Sequence, residues 1–289
     1  MTVQLYVNYL EGQTPGALPP QARAAGVPNR EPVLREWQAI GHIYREGHFE
    51  AAGHTGLLSP MFPAKTGVSF AEAVAFVEDN PGFDLYLFDH GPQYRYYNFN
   101  IFEFAENVTP GILAKLAECL ALVGETADVG SLGRSLPENT VHSNSWIGNA
   151  RVWTEMVGRA IAIIDAVRAS PGALRSLCEP VVVNGRIFPH LPSVLERLVP
   201  YWLMTRGGIS VKPFSGGKSH VLARCMRPLE RPFVEAFHDL FSEWDEAGPW
   251  SPDKREFVRD LSLAFHRQLR AANDHMVYPW TGARITPVE

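Results

Sequence analysis

The sequence predicts an α/β fold: a sheet with helices packed on its faces, followed by a helical C-terminal segment. Three observations carry it. Strand-like and helix-like stretches alternate over the first 215 residues, the pattern expected when helices return the chain to a common sheet. Within that region "GFDLYLFDHGPQYRYYNFNIFEF", residues 82 to 104, reads as a buried strand that stops at an aspartate and spills into aromatic and polar residues. Beyond Pro213 the chain reads as mainly helical.

The elements follow in order. "TVQLYVNYL" alternates and carries β-branched and aromatic residues, so it predicts a first strand. Residues 11 to 32 pack Gly, Pro and Ala into a long connection. From Val33 to about His48 the spacing of Val33, Leu34, Trp37, Ile40, Ile43 and Tyr44 fits one helix face. "SFAEAVAFVEDNPG" opens with Ser69 and has Glu72 three residues later, the pattern of a capping box. It delivers the chain to the strand "FDLYLF". The next predicted helix takes Thr109 as N-cap, Pro110 in its first turn and Gly124 at its end. Further helices are predicted over about 150–169, 193–204, 231–246 and 252–274. A division at residue 215 separates the sheet region, 1–215, from the helical extension, 216–289, which is expected to pack on it because no Ser/Gly-rich linker intervenes.

Composition narrows the function. The formal charge is −5 with no long basic run, so the electrostatic footprint of a nucleic-acid binder is missing. No apolar run approaches the roughly 18 residues a membrane span needs, and "MTVQLYVNYLEG" lacks the basic lead of a signal peptide. Cys119, Cys178 and Cys225 are far apart and read as buried free thiols of a reducing, cytoplasmic setting.

Familiar catalytic motifs are missing. There is no H-E-x-x-H, no zinc-type Cys/His spacing, no G-x-S-x-G and no G-x-G-x-x-G. "FSGGKSH" imitates the end of a phosphate-binding loop at Gly217-Lys218-Ser219, but that loop needs a glycine where Lys212 stands, together with a preceding strand and a following helix that the sequence does not announce. Lys212 and Lys218 on a Gly-rich loop remain a candidate phosphate clamp. His142, His190, His220 and His266 are scattered and read as satisfied or surface side chains.

The strand end is where chemistry concentrates. In open α/β sheets ligands bind outside the carboxyl ends of strands, so Asp89 is placed to hold a divalent cation, directly or through water, that offsets the charge of a diphosphate leaving group. A strand-end Asp is equally a turn former. Arg95, Asn98, Asn100, Glu103 and Glu106 follow among aromatic rings, a set suited to a sugar or nucleobase, although such rings can equally be core.

Four blocks in order carry a resemblance: "GLLSPMFPAKTGVSFAEAVAFV", "GFDLYLFDHGPQYRYYNFNIFEFAENVTPGIL", "HSNSWIGNARVWTEMV" and "LPSVLERLVPYWLMTRGGISVKPF". Over roughly residues 1 to 215 the sequence resembles bacterial glycosyltransferases of polysaccharide and capsule biosynthesis, including the DUF4422-like group, whose fold is a Rossmann-like GT-A type mixed sheet flanked by helices. The matching positions are Ser59, Pro60, Phe62, Lys65, Thr66 and Gly67; Asp84 and Asp89; Ser143, Asn144, Trp146, Ile147 and Trp153; and Glu196, Arg197, Leu198, Trp202 and Leu203. A strict Asp-x-Asp is absent, since Phe88-Asp89-His90 stands there.

The resemblance implies transfer of a sugar from a nucleotide-diphosphate donor to a glycan, lipid-linked or other hydroxyl acceptor. It implies Asp89, with Asp84 and a Mg²⁺ or Mn²⁺ ion, on the diphosphate, and no organic cofactor. Lys65, Arg95 or Lys212 would neutralise the leaving group, and one of Glu103, Glu106 and Glu196 would be the general base of an inverting reaction. Asn98, Asn144, Trp146 and Arg197 complete the expected substrate contacts. The second reading is a non-catalytic carbohydrate-binding or scaffold protein on a degenerate transferase fold, favoured by the missing Asp-x-Asp.

Overall fold

A computed structural model describes residues 2–9, 18–20, 22–178, 180–183, 186–272, 276–277 and 284–285. At its centre is a six-stranded mixed sheet built from β1 (Val3–Val7), β2 (Ala22–Ala24), β3 (His54–Leu58), β4 (Leu85–Leu87), β5 (Trp146–Asn149) and β8 (Val211–Pro213), in the order β2-β1-β3-β5-β4-β8. β5 alone among these six runs antiparallel to its neighbours, while β1 pairs in parallel with β2 and β3, and β4 with β8. The carboxyl ends of five strands therefore meet at one edge, joined there by the segment that enters β5.

Helices cover both faces. On one side Leu5, Leu58, Tyr86, Phe88 and Ile147 pack with Val74 and Val77 of α3 (Phe70–Asp79), the second helix after β3, where α2 (Phe62–Thr66) comes first. On the other, Leu57, Leu85, Leu87 and Trp146 join the larger core of α1 (Trp37–Arg45), α4 (Ile101–Val108), α5 (Ile112–Ala121), α6 (Ala150–Val152), α7 (Gly158–Ala169), α8 (Pro171–Cys178) and α9 (His190–Thr205). Alternate residues of "LYLF" thus enter two different cores, which is why the strand is apolar throughout. α6 runs into α7 through a π-helical turn, Trp153–Val157. A small hairpin, β6 (Pro180–Val183) with β7 (Arg186–Pro189), precedes α9.

The C-terminal helices α10 (Gly217–Ala223), α11 (Glu230–Glu246) and α12 (Pro252–Ala272) dock on the stretch 94–99. Tyr96 and Phe99 pack with Val234, Phe241, Trp250 and Val258, and Tyr97 with Phe265 and Leu269. A polar hub stands in this contact. Buried Asn98 offers Oδ1 to Ser262 Oγ at 3.4 Å and lies 2.9 Å from His266 Nε2. Arg134, also buried, donates to the Asn98 and Phe99 carbonyls, pairs with Asp245 at 3.1 Å and stacks over Trp250.

Several expectations hold and several are corrected. Strand β1, the Ser69–Glu72 capping box, β4 and helices near 150–169, 193–204, 231–246 and 252–272 are present. The helix expected over 33–48 is shortened to α1 behind a 3-10 turn at Pro32–Leu34. Thr109 is not an N-cap: it ends α4, and α5 begins after Gly111 at φ 87. The aromatic run after Asp89 is a 3-10 turn, Pro92–Tyr96, followed by α4 rather than more strand. "FSGGKSH" does sit between a strand, β8, and a helix, α10; its missing glycine remains. Of the connection 11–32, residues 11–17 and 21 lie outside the described residues, and 22–24 form β2. Cys119 is buried, Cys178 and Cys225 are half-buried, and all three are free.

Candidate functional site at the carboxyl edge of the sheet

Asp89 stands two residues past β4, where the ladder has ended. Its Oδ1 accepts from the Gly91 amide at 3.2 Å, which makes the turn, and from the His142 amide at 3.0 Å. His142 Nδ1 lies 2.7 Å from the same oxygen. Burial would raise the Asp89 pKa, but the adjacent His142, its hydrogen bonds and the nearby His90 outweigh it and hold the carboxyl at about 2. Asp89 is therefore an anion tied to a histidine. His142 Nε2, buried, has no hydrogen-bond partner among the described residues. The ring is held edge-on by Tyr94 and Phe104, which stack on each other with centroids 4.2 Å apart.

A narrow pocket, with a cavity volume of about 40 Å³, opens beside this pair. Its walls are largely apolar, with Asp89, Arg95, His142 and His220 as the ionisable groups. Arg95 donates to the Tyr96 hydroxyl at 2.7 Å. The loop after β8 supplies the opposite wall, and Gly216 is required there, because a Cβ would stand 2.4 Å from His220 Cβ. Likewise a Cβ on Gly91 would stand 2.5 Å from the Tyr94 ring and 2.9 Å from His142 Nδ1.

Behind Asp89 the polar cluster continues. His90 is driven down to about 3 by burial, then by the charges of Lys65 and His142, so it is a neutral hydrogen-bonding group at neutral pH. Lys65 also acts on Glu36, which precedes α1. Burial first, and Glu196 second, push the Glu36 pKa up to about 7. Asn144 Nδ2 donates to Glu36 Oε1 at 2.6 Å, and Arg197 Nη1 lies 3.3 Å from Glu196 Oε2. The non-glycine residues Arg35 (φ 51) and Ser143 (φ 60) immediately precede Glu36 and Asn144. Left-handed backbone at non-glycine positions costs on the order of 1–3 kcal/mol and clusters at functional sites.

The site residues expected from sequence thus divide. Asp89, Lys65, Arg95, Asn144, Glu196 and Arg197 lie at or near this edge, and Trp146 begins β5 there with its ring in the core. Asp84 does not join them. It precedes β4, on the order of 15 Å from Asp89 along extended chain, and clamps Asn149 at 2.7 Å and Ser210 at 2.8 and 2.9 Å. Lys212 turns the same way, over the Phe83 ring, while Lys218 pairs with Asp239 at 2.8 Å. Asn98 is the docking hub. Asn100 caps α4, and Glu103 accepts from the Phe99 amide at 2.7 Å beside it. Glu106 caps the start of α5 through Gly111 and Leu113. Missed from sequence were Glu36, His90, His142 and His220.

Among the described residues no three His, Cys, Asp or Glu side chains gather where they could hold a metal ion, and the hydrogen bonds to Asp89 converge on the oxygen facing His142.

No protein-family model matches the chain, and no curated protein matches it. A solved structure to which it is similar is the apo form of WbbM, a bifunctional glycosyltransferase: the TM-score is 0.42 and the identity 11%, covering 74% of this chain and 44% of that one. The chain thus spans less than half the length of that protein. Among the described residues no helix is long and apolar enough to cross a membrane.

Proposed function

We propose that the chain is a glycosyltransferase that takes its sugar from a nucleotide-diphosphate donor and delivers it to a hydroxyl acceptor at the carboxyl edge of the sheet. The observation that carries this reading is the pocket lined by Asp89, His142 and Arg95, with Lys65 close enough to act on His90 and Glu36 behind it. The four-block resemblance in the sequence supports the same class.

In this scheme Lys65 and Arg95 meet the charge that develops on the leaving diphosphate, and the neutral His90 supplies a hydrogen bond. Glu196, with Glu36 beside it, takes the proton of the acceptor hydroxyl.

The test is a thermal-shift screen of UDP-, GDP- and dTDP-sugars with and without Mn²⁺. One donor is expected to raise the melting temperature, and the absence of a shift with every donor would sink the reading. The feature favouring a non-catalytic carbohydrate binder is the missing Asp-x-Asp at Phe88-Asp89-His90. That alternative gains if the wild type neither transfers nor hydrolyses a donor that it binds.

A further inference from the structure

We propose that the cavity between α4 and α12 is a second binding site that holds a sugar acid, its carboxylate on Arg255 and its ring against the aromatic wall of Phe99 and Trp250. The proposal stands apart from the transferase reading and is tested without it. The cavity measures about 690 Å³, within the size range of small-molecule sites. Helix α4 divides it from the Asp89 pocket: Ile101 and Phe104 line that pocket, whereas Phe102, Glu103, Glu106 and Asn107 line this cavity. Helix α12 of the C-terminal extension closes the other side with Arg255, Glu256 and Arg259.

The groups left free in this cavity decide the ligand. Asn100 is spent on backbone groups at both ends of its amide, and Arg259 pairs with Glu256 at 3.1 Å and with Asp260 at 3.8 Å. Arg255 is different. Its guanidinium stacks over the Phe99 ring at 4.4 Å and makes no ion pair among the described residues. A ring face steadies the planar fork, which meets a carboxylate with two parallel N–H donors. A second, independent observation points to a ligand: Trp250 lines the cavity, is 9% exposed, and its buried indole N–H has no partner among the described residues. A donor left unmade costs on the order of 1–3 kcal/mol, and a ligand oxygen satisfies it. The opposite wall is acidic. Glu103 and Glu106 accept from backbone amides, and a carboxylate has room for further donors. An aromatic acid would suit Arg255 and offer these two nothing, whereas a sugar acid adds hydroxyl donors for them and an apolar ring face for the aromatic wall.

Calorimetry on the full chain with methyl glucuronide and methyl galacturonide, each beside its uncharged methyl glucoside or galactoside, tests this. At least one uronide is expected to bind about tenfold more tightly than its uncharged counterpart. Arg255→Gln, at an exposed position, is expected to erase that preference. Trp250→Phe, which keeps a ring and removes the N–H, is expected to weaken uronide binding about fivefold. The proposal is overturned if neither uronide binds, if the uncharged glycoside binds equally well, or if Arg255→Gln keeps the preference. Should Trp250→Phe fail to fold, Arg255→Gln decides alone. Benzoate binding where the uronides do not would overturn the sugar acid in favour of an aromatic one. Uronide binding without any nucleotide-sugar shift would keep this site and remove the transferase reading; a nucleotide-sugar shift without uronide binding would do the reverse.

Discussion

The Asp89–His142 pair and Glu36 make opposite statements about pH. Asp89 has its folded pKa depressed from 3.8 to about 2, so its contribution to stability is present above the unfolded value and is lost as pH falls from about 4 towards 2. Its size is about 2 kcal/mol. Asp89→Asn is expected to lose roughly that amount at pH 7 and to flatten the acid limb, as read by urea unfolding across pH. Glu36 is raised from 4.5 to about 7. The folded chain holds that proton more tightly, so this stability is full below about 4.5 and is lost as pH rises through 7, on the order of 3 kcal/mol. Glu36→Gln is expected to be the more stable protein at pH 8 and to show little of that slope; an unchanged slope would show that another group titrates. Asp89 was legible from sequence because a strand end is a local feature. Its partner was not, since His142 lies 53 residues away and nothing local in "VHSNS" announces a carboxylate. Glu36 sits in no motif, and its character comes first from burial and then from Glu196 across the fold.

At the scale of elements, the turn between β4 and α4 fixes how the pocket is walled. Gly91 lets the chain pass against Tyr94 and His142 with no room for a methyl group. Gly91→Ala is expected to cost about 1–3 kcal/mol and to abolish any donor-induced thermal shift by moving the histidine, whereas a variant that melts normally and still shifts would deny the turn that role. The capping box at Ser69 and the apolar "LYLF" could be read directly, because capping chemistry and burial leave local marks. β3 could not. "HTGLL" neither alternates nor is rich in β-branched residues, and Gly56 is there because Ile147 Cγ1 stands 2.9 Å from where a Cβ would be. Thr109 misled for a related reason: Thr-Pro suits a helix start, yet Glu106 of the preceding helix satisfies the first amides of α5.

For the whole molecule, sheet and C-terminal helices are held together by aromatic packing around Asn98. Asn98→Leu removes the side-chain oxygen that Ser262 and His266 share in a buried contact, while Arg134 keeps the backbone carbonyl, and a loss of about 1–3 kcal/mol is expected. Hydrogen exchange is expected to quicken first in α11 and α12; uniform quickening over the sheet would show that the two parts unfold as one. The sequence marks a change of character near residue 215, and periodicity there is easily read. What it does not convey is that the residues at the boundary wall the pocket. Phe214 donates its amide to Leu87 at 2.8 Å and packs on Phe76 and Phe88, and the next few residues close the pocket before becoming α10. A protein engineer trimming the chain at that visible seam would not be discarding an appendage. The cut would remove one wall of the pocket and strip the covering from Tyr96, Tyr97 and Phe99, so a shortened chain is expected to be sticky in solution.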